Sequence, residues 1–348
     1  MLKPQAPQQR IGYYPGAPSP APQPPRKPVR RRRKRRRPRI NWFRLAALVV
    51  CACVFLTCSV LLIRYFVSIA ASRRASRELE KIYTAAVAEQ PTLQPTAVFS
   101  PVPTFKAPEI TQTPRPLPTA TPGVNAVWPS VYPNNPTLRV SSVFYELQRQ
   151  NPDIVGWLKI DGVLEEPVLQ RDNEYYLTHN VRHEKSVTGA LFLEESCNLD
   201  AVPTQIVIHG HNMKEGAMFG SLKKYKVKDA SFYRSHPFIK FNTIYENSRY
   251  VIFAVAEVDI RSGNVAHLPF WYQSRFSSVS AFESYVQKAR ALSQYRCNVD
   301  VVPGDRLLTL ATCNGSEENK RLVVMARRIR ENESELDLQL GIQSTSDR

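Results

Sequence analysis

Apolar and polar positions along the chain change in blocks, and each block predicts a different kind of structure. Leu45 to Ile63 reads LAALVVCACVFLTCSVLLI, a stretch without a charge. At 1.5 Å per residue it makes about 28 Å of helix, close to the hydrocarbon thickness of a bilayer. Trp42, Phe43, Tyr65 and Phe66 flank it as interfacial aromatics do. A transmembrane helix over 45–66 is therefore expected. Ser68-Ile69-Ala70 has the look of a leader cleavage site, but the apolar run is long for a leader and follows an unusually long lead, so an uncleaved anchor is the expectation.

Residues 67–90, including ASRRASRELEKIYTAAVA, predict a mostly polar juxtamembrane helix. Over 91–137 there are 12 Pro and 8 Thr, which favours an extended stalk and forms no compact core. From Leu138 to the end the text becomes that of a packed domain. Val143 and Leu147 predict a helix stopping at Asn151-Pro152, and Ile154–Ile160 and Pro167–Leu169 predict strands. Thr204–Ile208 reads as a buried strand running into Gly210-His211-Asn212-Met213, and Met218, Leu222 and Tyr225 recur at helical spacing. Arg249–Ile260, Arg306–Cys313 and Lys320–Ile329 are further strands, with an amphipathic helix carrying Phe282, Tyr285, Val286, Ala289 and Leu292 between the first two. Many strands, few helices and no βαβ rhythm predict a mainly β, largely antiparallel barrel or sandwich with helices added.

Charge sharpens this division. Residues 1–44 hold 14 basic and no acidic residues, with Arg30 to Arg37 unbroken, so the other 304 residues carry only +3 of the net +17. A basic globular domain is thereby excluded, and a Pro-rich arm of this kind is expected to be disordered. Its charge outweighs Arg64, Arg73, Arg74 and Arg77 beyond the span, which predicts a cytoplasmic amino end and an extracellular domain. Contact with anionic lipid is the expected use of the arm; a nucleic-acid arm is the weaker alternative, and no nucleic-acid partner is expected.

The six cysteines divide into Cys51, Cys53 and Cys58 in the span and Cys197, Cys297 and Cys313 outside. Three is an odd number for an oxidising compartment, so at least one thiol is left free. A Cys197–Cys297 disulfide is one arrangement; zinc is disfavoured because the spacings offer no ligand pair. Cys313 ends the strand LLTLATC, where the two-residue period puts Thr309, Ala311 and Cys313 on one face. The next strand puts Arg321, Val323 and Met325 on one face, and the hairpin length allows Arg321 to stand beside Cys313. A guanidinium favours thiolate over thiol and offers donors to an oxyanion. Proton transfer to a leaving amine asks for a histidine. His211, after a buried strand and Gly210, is the candidate; His209 competes but lies within the strand pattern, and His236 before Pro237 reads as structural.

Thr309-Leu310-Ala311-Thr312-Cys313 resembles the T-L-x-T-C signature of sortases, membrane-anchored cysteine transpeptidases of Gram-positive bacteria. Gly210-His211-Asn212-Met213 with Met218–Leu222 is similar to the segment around their essential His, and Lys320–Val324 to the strand bearing their essential Arg. Class B is indicated by Gly156–Ile160, Pro167–Gln170, Asp172–Leu177, Gly189–Leu193 and the helix-bearing insertion. The resemblance spans 144 to about 330 and implies a closed sortase-like β-barrel as the catalytic domain within 138–348. It implies Cys313 as nucleophile, His211 as general acid/base and Arg321 as stabiliser of oxyanion or substrate. It places Asn173, Leu177 and Ala311 in the sorting-peptide groove; Leu177 has a core reading as well. Ala311 often has a hydroxyl residue in class B relatives, and Cys197 stands where they usually lack one.

The implied reaction cleaves a sorting motif after Thr in secreted proteins and joins the acyl group to an amine of peptidoglycan or its precursor. No metal or organic cofactor is required by that chemistry. A pilin-polymerising enzyme with a Lys acceptor and a non-catalytic wall-binding ectodomain are the alternatives; the polar tail Glu331–Arg348 argues against the first, and the set of Cys313, His211 and Arg321 against the second.

Overall fold

A computed structural model describes residues 42–90, 128–214, 216–226, 229–272, 275–314 and 317–343. The expected basic segment 1–44 lies outside these residues up to 41, and the expected stalk 91–137 lies outside them up to 127. The chain divides into two units, Met1–Leu56 and Thr57–Arg348.

A first helix, α1 (Trp42–Ala88), contains the uncharged stretch. Its most apolar window has a mean hydropathy of 2.8 and no buried residue, as a membrane-spanning helix requires. Beyond residue 68 the helix changes character. Ile69, Ser72, Ala75, Ser76, Leu79 and Tyr83 recur at three- and four-residue intervals and are buried within the second unit. They pack with α2 (Val143–Gln150), whose Phe144 and Leu147 are fully buried, each worth about 2–3 kcal/mol of apolar transfer. Ser72 Oγ lies 2.8 Å from Ser186 Oγ, Asn242 donates to the Tyr83 hydroxyl at 2.7 Å, and Arg182 pairs with Glu78. The second half of α1, read from sequence as a polar juxtamembrane helix, is thus part of the packed unit. Its buried stripe is made largely of Ser and Ala, which carry little hydrophobic signal.

The end of the expected stalk is packed as well. Trp128 donates its indole N–H to the Asp305 carbonyl at 3.1 Å, and Tyr132, 1% exposed, donates to the Leu199 carbonyl at 2.6 Å. The folded unit therefore draws on residues well before 138. Residues 91–127 start and finish on the same body.

Eight strands follow: β1 (Ile154–Ile160), β2 (Leu164–Leu169), β3 (Leu191–Leu193), β4 (Gln205–Gly210), β5 (Phe238–Thr243), β6 (Asn247–Asp259), β7 (Leu307–Asn314) and β8 (Glu317–Arg328). They close in the order β1-β2-β3-β4-β7-β8-β6-β5, with β5 returning to β1. All pairings are antiparallel except β2–β3 and β4–β7. The mainly β closed barrel is as expected from sequence. Val, Ile, Leu and Phe from every strand fill its interior.

Short helices α3 (Tyr175–Thr178) and α4 (Ser231–Ser235) lie in connections, and α5 (Val279–Leu292) fills the β6–β7 insertion. Ser278 caps α5 by accepting from the Ala281 N–H, worth about 1 kcal/mol. The tail forms α6 (Glu335–Gln343), which burial of Ile342 ties down. Just before it, fully buried Arg327 forks onto Glu333 at 2.6 and 2.7 Å and reaches Asp300 at 3.0 Å. Sequence reading missed β5 and α6; Ile239, Phe241 and Thr243 do alternate as a half-buried strand should.

Candidate active site

One end of the barrel collects the chemistry. In β4 and β7, His209 pairs with Ala311 and Gly210 with Thr312, so His211 and Cys313 are the next residues along two hydrogen-bonded parallel strands. On the other side of β7, Cys313 is the direct antiparallel partner of Arg321 in β8. Adjacent strands lie about 4.8 Å apart, so β7 carries Cys313 between its two neighbours at one level. The β7–β8 ladder is irregular immediately after Cys313, where Asn314 pairs with Glu317.

His211 Nε2 lies 2.6 Å from the Leu177 carbonyl. A carbonyl only accepts, so Nε2 carries the proton. Two glycines hold this arrangement. Gly189 (φ +55°) lies under α3: a Cβ there would sit 2.2 Å from the Tyr176 carbonyl and 2.9 Å from that of Leu177. Gly220 approaches the loop after His211 so closely that a Cβ would be 2.0 Å from the Met213 carbonyl. Arg321 donates from Nη1 to the Lys320 carbonyl at 3.0 Å.

A cleft of roughly 260 Å³ opens here. Its apolar wall is Leu177, Phe192, Ile260, Phe270, Trp271 and Ala311; Ile260, Phe270 and Trp271 come from the β6–β7 insertion. Asn173, Glu194, His209, His211, Thr312 and Arg321 supply the polar lining. Leu177 is 36% exposed, so it is a wall residue and not core. Ala311 is buried and contributes only a methyl to the cleft.

Asn173 lines the cleft, but its amide is committed internally: Nδ2 donates to Glu194 Oε1, and Oδ1 accepts from the Glu195 N–H at 2.9 Å. Glu194 also meets His209, at 2.8 Å. Burial alone would raise the Glu194 carboxyl, yet the hydrogen bonds from His209 and Asn173 outweigh it and hold it below the ordinary Glu range. Sequence reading passed over this pair. The detectable signal was that His209 and His211 share a strand face.

The other cysteines of this unit differ in kind. Cys197 and Cys297 are both buried and free, so the disulfide weighed from sequence does not form. Burial, with the charge of Glu194 adding, pushes the Cys197 thiol up to about 12, and burial pushes Cys297 up to about 12. Neither is a competent nucleophile at neutral pH. His236 rests on Phe232, ring centroids 4.3 Å apart, in a structural role. Among the described residues no group of His, Cys, Asp and Glu is arranged to hold a metal.

A family model described as "Sortase domain" matches residues 159–329. Over 187 residues the chain is 37% identical to Sortase B of Listeria monocytogenes, covering 52% of this chain and 72% of that protein. It is 28% identical over 191 residues to Sortase B of Staphylococcus aureus, covering 54% of this chain and 75% of the relative. Among solved structures, the Staphylococcus aureus sortase B–substrate complex matches with a TM-score of 0.50 at 28% identity, over 56% of this chain and 88% of that one.

Proposed function

The chain belongs to the sortase family, within it to class B, and from that membership we propose that it is a cysteine transpeptidase acting through Cys313, His211 and Arg321. One observation carries this assignment: β7 sets Cys313 directly across from Arg321 and level with the residue that follows β4, His211. Attack by the Cys313 thiolate on the carbonyl carbon after Thr of a sorting motif forms a C–S bond. The C–N bond then breaks, and the departing amine takes a proton from the His211 imidazolium. With Nε2–H directed at the Leu177 carbonyl, Nδ1 is the nitrogen that carries the transferred proton. The Arg321 guanidinium favours the thiolate and donates to the oxyanion that develops. An incoming amine resolves the thioester, returning its proton to His211 and freeing the thiolate.

The acyl groups come from secreted proteins bearing a C-terminal sorting signal, and the acceptor is an amine of peptidoglycan or its precursor. A peptide-sized cleft at the candidate residues supports this, as does the substrate held by the similar Staphylococcus aureus enzyme. The apolar first part of α1 supports attachment to the cell membrane. The basic residues before it support a cytoplasmic amino end that touches anionic lipid, with the catalytic unit outside.

The test incubates the full chain, in detergent micelles, with a library of short Thr-containing peptides and a primary amine. Cleavage after Thr, joining to the amine and an acyl adduct on Cys313 are the expected mass changes. Cys313→Ala should abolish all three; turnover persisting in that variant would overturn the assignment.

A further inference from the structure

The polar end of the cleft holds a pair of residues that the reaction above does not employ. Glu194, just past β3, is buried and accepts from His209 Nε2 on one oxygen and from Asn173 Nδ2 on the other. The imidazole lies on Phe192, with centroids 5.2 Å apart and planes 27° apart, and beside Phe270 at 6.4 Å. Its position is thus set by two rings and a braced carboxylate. A carboxylate only accepts, so Nε2 carries the proton and Nδ1 presents a lone pair. Among the described residues nothing hydrogen-bonds Nδ1. Across the ladder from His209 stands Ala311, whose methyl offers no polar group, and the imidazole retains about a quarter of its exposure at 23%.

Asn173 has its amide engaged on both sides, so the polar group this cluster offers to the cleft is the imidazole. We propose that His209, clamped by Glu194, is a specificity residue whose Nδ1 accepts a hydrogen bond from a side chain of the peptide in the cleft. This rests on the transpeptidase reading above. The subsite takes a neutral donor such as a carboxamide and rejects the isosteric carboxylate. The acid brings no proton to Nδ1 and approaches the charge of Glu194, whereas the amide satisfies a lone pair that would otherwise be left unpaired on binding.

Glu194 sets the sense of this preference. In Glu194→Gln, Asn173 Nδ2 holds the amide oxygen, so the amide NH2 faces His209 Nε2. The imidazole proton must then move to Nδ1, turning it from acceptor to donor.

The experiment takes a peptide that the full-length protein turns over in micelles and replaces each position in turn by Asn, Asp, Gln and Glu. At one position the amide should exceed its acid at least tenfold in kcat/KM, mainly through KM. His209→Phe keeps the ring stack and loses the nitrogen, and should bring that ratio within about threefold of unity. Glu194→Gln should shift it toward the acid. A uniform loss of rate with the ratio unchanged in both variants would reduce the pair to a structural brace and overturn the proposal. Equal amide and acid rates at every position in the unaltered protein would also overturn it while leaving the transpeptidase reading intact. Failure of every peptide to turn over would overturn both.

Discussion

Tyr83 of α1 lies flat on Trp157 of β1, ring centroids 4.3 Å apart and planes within 7°. The stack joins a residue that sequence reading left on a polar helix to a strand of the barrel wall. Around it α1, α2 and the outer faces of β1 to β3 form a second core outside the barrel. The helix that begins in the apolar segment therefore ends as a structural member of the catalytic unit.

Tyr83→Ala should destabilise the unit by about 3 kcal/mol, through lost ring burial and the lost hydrogen bond from Asn242. Tyr83→Phe should cost about 1 kcal/mol. Denaturant unfolding followed by tryptophan fluorescence measures both. An alanine variant within 0.5 kcal/mol (roughly the scatter of surface changes) would mean the helix merely rests on the barrel.

Glu166 sits beneath the same helix. Burial pushes its carboxyl up to about 7, Glu80 and Glu165 adding while the Ser76 hydrogen bond and Arg73 oppose. Because the folded value exceeds the ordinary 4.5, the native state retains a proton that the unfolded chain has released between those values. Stability from this group is full below about pH 4.5 and declines as pH rises to about 7. Between pH 5 and pH 8 the unaltered protein should lose about 2 kcal/mol more than Glu166→Gln. Parallel losses in the two proteins would show that Glu166 titrates as an exposed carboxyl does.

The register of β7 against β8 is legible in the amino-acid sequence, because a two-residue period and a short connection leave one way to bring Cys313 opposite Arg321. The β1 limits and α5 are legible for the same reason: apolar periodicity bounded by Asn-Pro at one place and a Ser cap at another. Tyr83 and Leu79 carry a signal, but Ser72, Ala75 and Ser76 complete their stripe, and small residues weigh little on a hydropathy pattern. Cleft partners such as Glu194 and His209 are 15 residues apart on neighbouring strands, and no local period relates them. Asn173 falls in the groove as expected, yet only the folded arrangement shows its amide spent on Glu194 and Glu195.

Gly189→Ala should lower stability by about 2 kcal/mol and kcat/KM at least tenfold, since the added methyl drives into the backbone that receives the His211 proton. Gly263→Ala is the control: its φ of +82° is equally unfavourable to a side chain, but nothing stands within 4 Å. It should cost about 1 kcal/mol and leave kcat/KM unaltered. Equal kinetic loss in the two variants would sever activity from the seat of α3.

With Cys51, Cys53 and Cys58 replaced by Ser, a brief exposure to iodoacetamide at about pH 7.5 should place one adduct on the folded protein, at Cys313. Cys197 and Cys297 should react at least a hundredfold more slowly, their thiols being buried and held protonated. Peptide mapping by mass spectrometry reads the sites. Comparable labelling of Cys197 would take away the chemical distinction on which the choice of nucleophile stands.

The segment between residues 90 and 128 joins two places on one body, with Tyr83 seated on Trp157 ahead of it and Tyr132 bonded to Leu199 behind. Cutting the polypeptide there would leave two pieces held by burial and hydrogen bonds. Covalent continuity at that point is dispensable to the grip, and the intervening sequence is at liberty to lengthen, vary or be clipped while the helix stays in its socket.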